Sequence, residues 1–460
     1  MVIRPLRDTL ARHIPPAQSE LMARSLLSPT PAEQPKTADV IIVGGGPAGT
    51  AAAWALERAQ PGIQIVLIER AAQPGSGASN ASLENFRTAW AAPCLARLMT
   101  RSIDVFMHPS EYFGEGVELG AKQRGYLWCA FTEAQAAKLR AEVEHLNAIG
   151  LSHVQYLDTD AVQARFGWLG PKLLAGKYDP HAGWLDSYAL IQAFLRSCEN
   201  TTVLLGVPNV RLVRDGDRIT GVETPAGRIS APATLIAAGA DSRDIAAAAS
   251  VHLPLVMRPR QSFTTGWRHP EFPADGPAVI SSAPFPHVRP EAQDGAIFGF
   301  EYAWNAKGIG ENGRAADSLE SPIYPVDRWK DPRMPSVTLM LLAKQFGHER
   351  GGFASPNYLR GIDHRAGYYV YRDDTNAYTT SHSGEKRGYD SQRAILDAHP
   401  DVDGLFLSVA HVGHGIMSSP AAGEITAARV LGLPLPDPVF EGFAWGAHYI
   451  EHDSGGLTPD

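Results

Sequence analysis

The chain is poor in cysteine, short of positive charge and without a long apolar run. Its three cysteines, Cys94, Cys129 and Cys198, stand far apart. They offer neither metal-ligand spacing nor an even-numbered disulfide framework. No metal is therefore expected, and a reducing, cytoplasmic setting is the simplest reading. No stretch approaches the roughly 20 apolar residues that span a bilayer. Acidic residues outnumber basic ones, 49 to 41, for a formal net charge of −8. That balance argues against a nucleic-acid partner, which calls for a basic surface. The sequons at Asn80 and Asn200 are expected to be chance matches.

What is present fits a globular chain, with 44% hydrophobic and 20% charged residues among 460. A single core stops growing near roughly 250–300 residues, so two domains or more are expected. Residues 1–37 combine scattered arginines with a proline-rich end (Pro29, Pro31, Pro35). Asp8 and Glu20 are unusual in a transit peptide, so this extension is expected to be a surface helix and a linker. From Asp39 the pattern becomes regular. Asp39 to Val43 reads as a buried strand, Pro47 to Ala59 as a helix with a small-residue face, and Ile63 to Ile68 as a second strand. Helices are expected over 95–108 and 132–149. Strands are expected at Val203 to Val213, Ile219 to Thr224 and Ile229 to Ala237, and a separate sheet within 253–303. Trp304 to Met334 reads as an insertion or lid, Leu405 to Ala410 as a last strand, and Pro420 to Leu431 as a last helix. There Ser419 is the expected N-cap and Pro420 the first helical residue.

The most specific motif is Gly44-Gly45-Gly46-Pro47-Ala48-Gly49, a G-x-G-x-x-G between strand and helix. Gly44 allows the tight turn, Gly46 lets backbone approach a pyrophosphate, and Gly49 permits close helix–strand packing. Amides at the helix start face the phosphates. Glu69 ends the second strand and can accept hydrogen bonds from ribose hydroxyls, with Arg70 beside it. The motif alone does not choose between FAD and NAD. Three later features favour FAD. One is the small polar loop Gly75-Ser76-Gly77-Ala78-Ser79-Asn80, and another is the strand end Ala237-Ala238-Gly239-Ala240. The third is the run His411-Val412-Gly413-His414-Gly415-Ile416-Met417 before the last helix.

Together these blocks resemble the D-amino-acid oxidase superfamily of flavoenzymes, which includes glycine oxidase, sarcosine oxidase and dimethylglycine dehydrogenase. The matching stretches are Val40 to Glu69, Ser76 to Arg87, Asp179 to Phe194, Val210 to Gly239, Ala366 to Tyr371 and Gly404 to Gly432. The G-W-x-D segment Gly183-Trp184-Leu185-Asp186 and the A-G-Y-Y segment from Ala366 look most like the FAD-dependent oxidoreductase-domain proteins of that group. The resemblance implies an α/β fold with a Rossmann-type FAD-binding domain and a discontinuous, mainly antiparallel substrate domain. The expected FAD-binding domain is 38–95, 185–258 and 375–435. The substrate domain is 96–184 and 259–374, with a tail at 436–460. The implied cofactor contacts are Gly44, Gly46, Pro47, Ala48, Gly49, Glu69, Arg70, Ser76, Ala78, Ser79, Asn80, Val210, Ala238, Gly239, Gly413, His414, Gly415, Ile416 and Met417. Some relatives carry a lysine where Met417 stands, or a covalent flavin link through cysteine or histidine. Their absence here implies non-covalent FAD.

The implied reaction breaks a C–H bond beside the nitrogen of a small amine or amino acid and passes hydride to flavin N5, with oxygen or a quinone-linked acceptor to follow. Arg87, Tyr369 and His414 are the candidate catalytic residues. Arg87 could hold a substrate carboxylate or a flavin carbonyl, Tyr369 a face of the ring, and His414 a proton. Tyr368, Arg260 and His411 are weaker candidates, and Trp184 reads as packing. A 2-hydroxy-acid or polyol dehydrogenase and a non-catalytic FAD-binding assembly factor remain as alternatives. Oligomeric state is not legible.

Overall fold

The computed structural model describes residues 34–300, 318–347, 352–373, 378–380, 386–388 and 393–447. The expected helix and linker over 1–33, the 304–317 part of the insertion and the tail from 448 lie outside the described residues.

Continuous apolar runs build the first layer. Val40–Val43 (β1), Ile65–Ile68 (β2) and Ala233–Ile236 are buried at every position, as strands covered on both faces must be. β1 lies between the other two, in parallel, with Val40 beside both Ile65 and Ala233. Thr201–Leu204 and Leu405–Val409 extend the sheet at its two sides. Ile395–Ala398 closes one edge antiparallel, making six strands. Helix Pro47–Ala59 (α1) crosses from β1 to β2. Its small-residue face receives the last helix: a Cβ on Gly423 would stand 2.5 Å from the Ala51 carbonyl oxygen.

That last helix corrects the sequence reading. It spans Gly415–Leu431, with His414 at the N-cap and Pro420 inside. Pro420 has no amide to offer the Ile416 carbonyl. The Ser419 hydroxyl donates to that carbonyl at 2.9 Å, so Ser419 repairs the ladder instead of capping it. The helix starts five residues earlier than expected (415 against 420), which brings its N-terminus to the G-H-G block.

Two expected strands also divide. Val203 to Val213 becomes Thr201–Leu204 in the six-stranded sheet and Arg211–Asp215 in a three-stranded one. Ile229 to Ala237 breaks around Pro232 into Gly227–Ser230 and Ala233–Ile236, because proline cannot donate to a central ladder.

The second layer is an eight-stranded sheet. Its order is Asp363–Arg372, Leu255–Thr265, Gly295–Gly299, His287–Glu291, Ala278–Ile280, Tyr126–Ala130, Ala175–Asp179 and Gln155–Leu157. Every pair is antiparallel except Ala278–Ile280 with Tyr126–Ala130. Helix Met334–Phe346 packs Leu342 and Phe346 into the core of this layer with Phe263 and Phe298. Period-two alternation fixes what each long strand shows. Along Asp363–Arg372, Ala366, Tyr368 and Val370 are buried, whereas Gly367 and Tyr369 face the other way.

Candidate active site

Three glycines of the first turn answer to three different neighbours. Gly44 has φ +117°, and a Cβ there would lie 2.3 Å from the Ala237 carbonyl oxygen. This ties the turn to the Ala237-Ala238-Gly239 strand end. A Cβ on Gly49 would lie 2.0 Å from the Gly44 carbonyl oxygen, so α1 starts in contact with the turn. Gly46 is different. Its backbone, φ −77° and ψ −177°, suits any residue, and a Cβ there meets nothing within 4 Å. Nothing in the fold's own packing demands glycine at 46, whereas a pyrophosphate approaching the turn does.

Gly45, which the sequence reading passed over, stands against Glu69, with a Cβ only 2.9 Å from the Glu69 Cβ. The Gly45 amide donates to Glu69 Oε2 and the Ala71 amide to Oε1, each at 2.8 Å. The carboxylate is thus held at the end of β2 with acceptor capacity left for ribose hydroxyls. Val207 donates its amide to the Glu69 carbonyl at 3.0 Å, which brings the chain leading to Val210 to the same end. Arg70 pairs with Asp241 at 3.0 Å. Together, the open space at Gly46, the amides of the α1 N-terminus and the held carboxylate fit the ADP half of a dinucleotide.

A cleft lies where three distant segments meet. Arg260, Gln261 and Ser262 come from strand Leu255–Thr265, and Gly367 and Tyr369 from its partner strand Asp363–Arg372. Ala78, Ala81, Ser82 and Leu83 come from the loop after β2. The Ser262 hydroxyl donates to the Ala81 carbonyl at 2.7 Å. A Cβ on Gly367 would lie 3.1 Å from the Ala78 Cα, so sheet and loop approach as closely as backbone allows. The Ser76 hydroxyl donates to the Gln73 carbonyl at 2.8 Å, and the Asn80 carbonyl accepts from Arg365 at 2.8 Å. The Ser79 carbonyl accepts the Ser82 amide at 3.2 Å.

The C-terminal block closes onto Tyr369. A Cβ on Gly413 would stand 2.4 Å from the Tyr369 ring, and the Val412 amide donates to the Val370 carbonyl at 2.9 Å. The chain here is strained. Ala410 and Val412 have φ of +61° and +52°, costing roughly 1–2 kcal/mol each. Such strain gathers at ligand sites. Between them, His411 holds Nε2 at 3.1 Å from the Ser408 hydroxyl, and its buried Nδ1 has no hydrogen-bond partner among the described residues. Ile416 and Met417 are buried in the first helical turn.

Burial lowers the His411 pKa to about 4, with the Ser408 contact opposing. The unfolded chain, with histidine near roughly 6.5, binds more protons than the folded one between these values. Stability is therefore full above about pH 6.5 and falls as pH drops toward about 4. The thermal midpoint should fall over that window, and His411→Gln should flatten the fall. An identical pH slope in the variant would count against this assignment.

Arg87 is placed differently from Tyr369. It is 4% exposed, its guanidinium carbon lies 3.8 Å from the Trp90 ring centroid and 5.4 Å from that of Trp128, and Nη1 donates to the Ala89 carbonyl at 3.1 Å. The structure does not bring Arg87 into the cleft that Tyr369 lines. Its link to the C-terminal block runs through Trp90, whose ring meets buried His414 edge-on at 4.8 Å. The loop is fixed by a residue that sequence reasoning missed, Asp179. This fully buried carboxylate accepts from the Thr88 amide at 2.7 Å, the Thr88 hydroxyl at 2.8 Å, and the Ala89 and His181 amides at 3.0 Å each.

The remaining candidates have structural partners. Tyr368, on the opposite face from Tyr369, accepts from the Ile323 amide at 3.0 Å and from Trp329 Nε1 at 2.6 Å. The G-W-x-D segment packs Trp184 beside Arg289, 5.1 Å away. Its Asp186 caps helix Ser187–Arg196 by accepting the Ala189 amide at 2.9 Å. Arg260 sets its guanidinium carbon 5.8 Å from the Tyr369 ring centroid.

A mainly parallel sheet with a glycine turn at its crevice, beside a second, mainly antiparallel sheet, is the architecture of a dinucleotide-binding protein. The chain belongs to the DAO family of FAD-dependent oxidoreductases, whose model matches residues 39–429. It is 30% identical over 407 residues to the tRNA 5-methylaminomethyl-2-thiouridine biosynthesis bifunctional protein MnmC of Pseudomonas aeruginosa (strain UCBPP-PA14), covering 86% of this chain and 57% of that protein. The chain thus spans little more than half the length of that relative. It is 22% identical over 464 residues to the FAD-dependent oxidoreductase domain-containing protein 1 of Bos taurus, covering 91% of this chain and 87% of that protein. Among solved structures, glycine oxidase from Geobacillus kaustophilus matches with a TM-score of 0.68 and 18% identity, covering 90% of this chain and all of that one. No described helix is long and apolar enough to cross a membrane.

Proposed function

We propose that this protein oxidises the C–N bond of a small carboxylate-bearing amine, with secondary amines preferred. The observation that carries this reading is the cleft at Tyr369. It places one guanidinium, Arg260, beside an aromatic face and against the loops of the cofactor crevice. Bound FAD supplies the two-electron acceptor for the substrate hydride.

Gly44, Gly46, Pro47, Ala48 and Gly49 present backbone to its phosphates, and Glu69 receives its ribose. Ala78, Gly413, Gly415 and the first turn of the last helix line the ring end. That helix N-terminus favours negative charge there. Arg260 holds a substrate carboxylate, Tyr369 walls the far side, and the close approach of Gly367 and Ala78 keeps water out. Met417 in place of a lysine leaves Arg260 as the cleft's cationic anchor, which suits an N-alkylated amine better than glycine. The cofactor part is assigned to 38–95, 185–258 and 375–435 and the substrate part to 96–184 and 259–374, although strand Leu255–Thr265 runs through the boundary at 258.

Arg260→Ala should raise KM for carboxylate-bearing amines by roughly tenfold or more, the worth of a charge-assisted contact. It should leave kcat within about threefold and should not change KM for amines without a carboxylate. An equal effect on both classes would remove Arg260 from the substrate. FAD is expected to be non-covalent. Acid precipitation should leave a colourless pellet, and colour in the pellet would refute this. A second reading, oxidation of an aminomethyl group carried on a larger molecule, draws on the 30% identity to the tRNA-biosynthesis protein. The net charge of −8 opposes a polyanionic carrier.

A further inference from the structure

We infer that residues 319–329 clasp the adenosine end of the cofactor crevice and that Tyr324 is the residue retaining FAD there. β1 lies between β2 and Ala233–Ile236. The chain leaves β2 through Glu69 and Arg70, and leaves the other neighbour through the turn Gly239–Asp241. The Arg70–Asp241 pair, 3.0 Å apart, therefore bridges the two strand ends across the glycine turn.

Tyr324, 254 residues after Arg70 and 83 after Asp241, is brought onto that bridge: its hydroxyl accepts from Arg70 Nη2 at 2.7 Å and donates to Asp241 Oδ1 at 3.1 Å. The Arg70 guanidinium carbon lies 4.4 Å from the Tyr324 ring centroid. The three groups form a closed triangle beside the carboxylate that receives the ribose. Burial, with the Asp241 carboxylate adding to it, raises the Tyr324 pKa to about 12, so the hydroxyl stays protonated as this arrangement requires.

The clasp is anchored along its length. Leu319 and Met257 exchange backbone hydrogen bonds of 2.8 and 2.9 Å. Glu320 pairs with Arg243 at 2.9 Å, and the Ser321 hydroxyl donates to Asp244 at 2.7 Å. Tyr368 holds both ends of the next stretch, through Ile323 and Trp329. Yet Tyr324 itself is 44% exposed. Arg70 lies against the ring, and its exposed remainder offers a flat surface on which an adenosine can stack. This clasp rests on the proposed seating of the FAD ribose at Glu69 and is independent of the substrate.

The test is the rate of FAD release from holoprotein on dilution, followed by recovery of flavin fluorescence, together with the absorbance band of the bound flavin. Tyr324→Ala should speed release by about tenfold or more, and Tyr324→Phe, which keeps the face on Arg70, by about threefold. The absorbance band should be unchanged in both, because the contact is at the adenosine end. Release at the unmodified rate from Tyr324→Ala would overturn the inference. A shifted flavin band would overturn it as well, by placing Tyr324 at the ring end. Should Tyr324→Ala fail to fold, unmodified release from Tyr324→Phe would overturn it equally. A protein that retains FAD through Tyr324 but oxidises no amine would contradict the proposed substrate and leave the clasp standing.

Discussion

Gly46→Val is expected to yield a folded protein that has lost its flavin. The backbone there is extended and an added Cβ meets nothing within 4 Å, so the chain itself leaves room at this position. The apoprotein should therefore melt close to the unmodified apoprotein. FAD affinity should fall roughly 100-fold or more, about 3 kcal/mol at 1.4 kcal/mol per tenfold, because the branched side chain occupies the path of the pyrophosphate. Gly49→Val provides the contrast. Its Cβ would stand 2.0 Å from the Gly44 carbonyl oxygen, so α1 must leave the turn and stability must fall along with flavin content. Flavin content and apoprotein melting, measured side by side, separate the two glycines. Normal FAD binding by Gly46→Val would show that the dinucleotide does not cross the turn.

Asp179→Ala should be among the most destabilising single changes in the second layer. It strips acceptors from the Thr88, Ala89 and His181 amides and the Thr88 hydroxyl at a site with no solvent exposure. Unsatisfied buried donors cost about 1–3 kcal/mol each, and partial relaxation leaves roughly 3–5 kcal/mol in all. The damage should also reach the site, because the freed loop carries Trp90, which packs on His414. Asp179→Asn retains one acceptor oxygen and should lose about half as much. Denaturant midpoints with flavin content as a second readout check both. A midpoint within experimental error of the unmodified protein would mean the loop is fixed by other contacts.

These residues mark where sequence reasoning works and where it stops. The βαβ unit was legible because its signals are local: the α1 boundaries read from the sequence are those observed, Pro47 and Ala59, and β1 and β2 differ by a residue or two at their starts. The last helix was misread through a local signal of the same kind. Pro420 suits a first helical turn, but Ser419 compensates for it inside the helix, and that repair depends on a side-chain rotamer that no pattern records. Asp179 and Thr88 are 91 residues apart, and Arg70 and Tyr324 254 apart. Such pairs exist only once the two sheets are docked. Arg87 shows the complementary limit. Its position after the loop suggested the ring, whereas its burial against two tryptophans, 90 and 128, emerges only in the fold.

The most direct test of the account is an anaerobic absorbance titration of the yellow holoprotein with an N-alkyl amino acid, set against the 2-hydroxy acid of the same carbon skeleton. The flavin's visible band should bleach with the amine, glycine and D-alanine should act more slowly, and the hydroxy acid should leave the band intact. Bleaching by the hydroxy acid with none by any amine would contradict C–N oxidation, and a band that no small molecule bleaches, with FAD retained, would contradict catalysis itself.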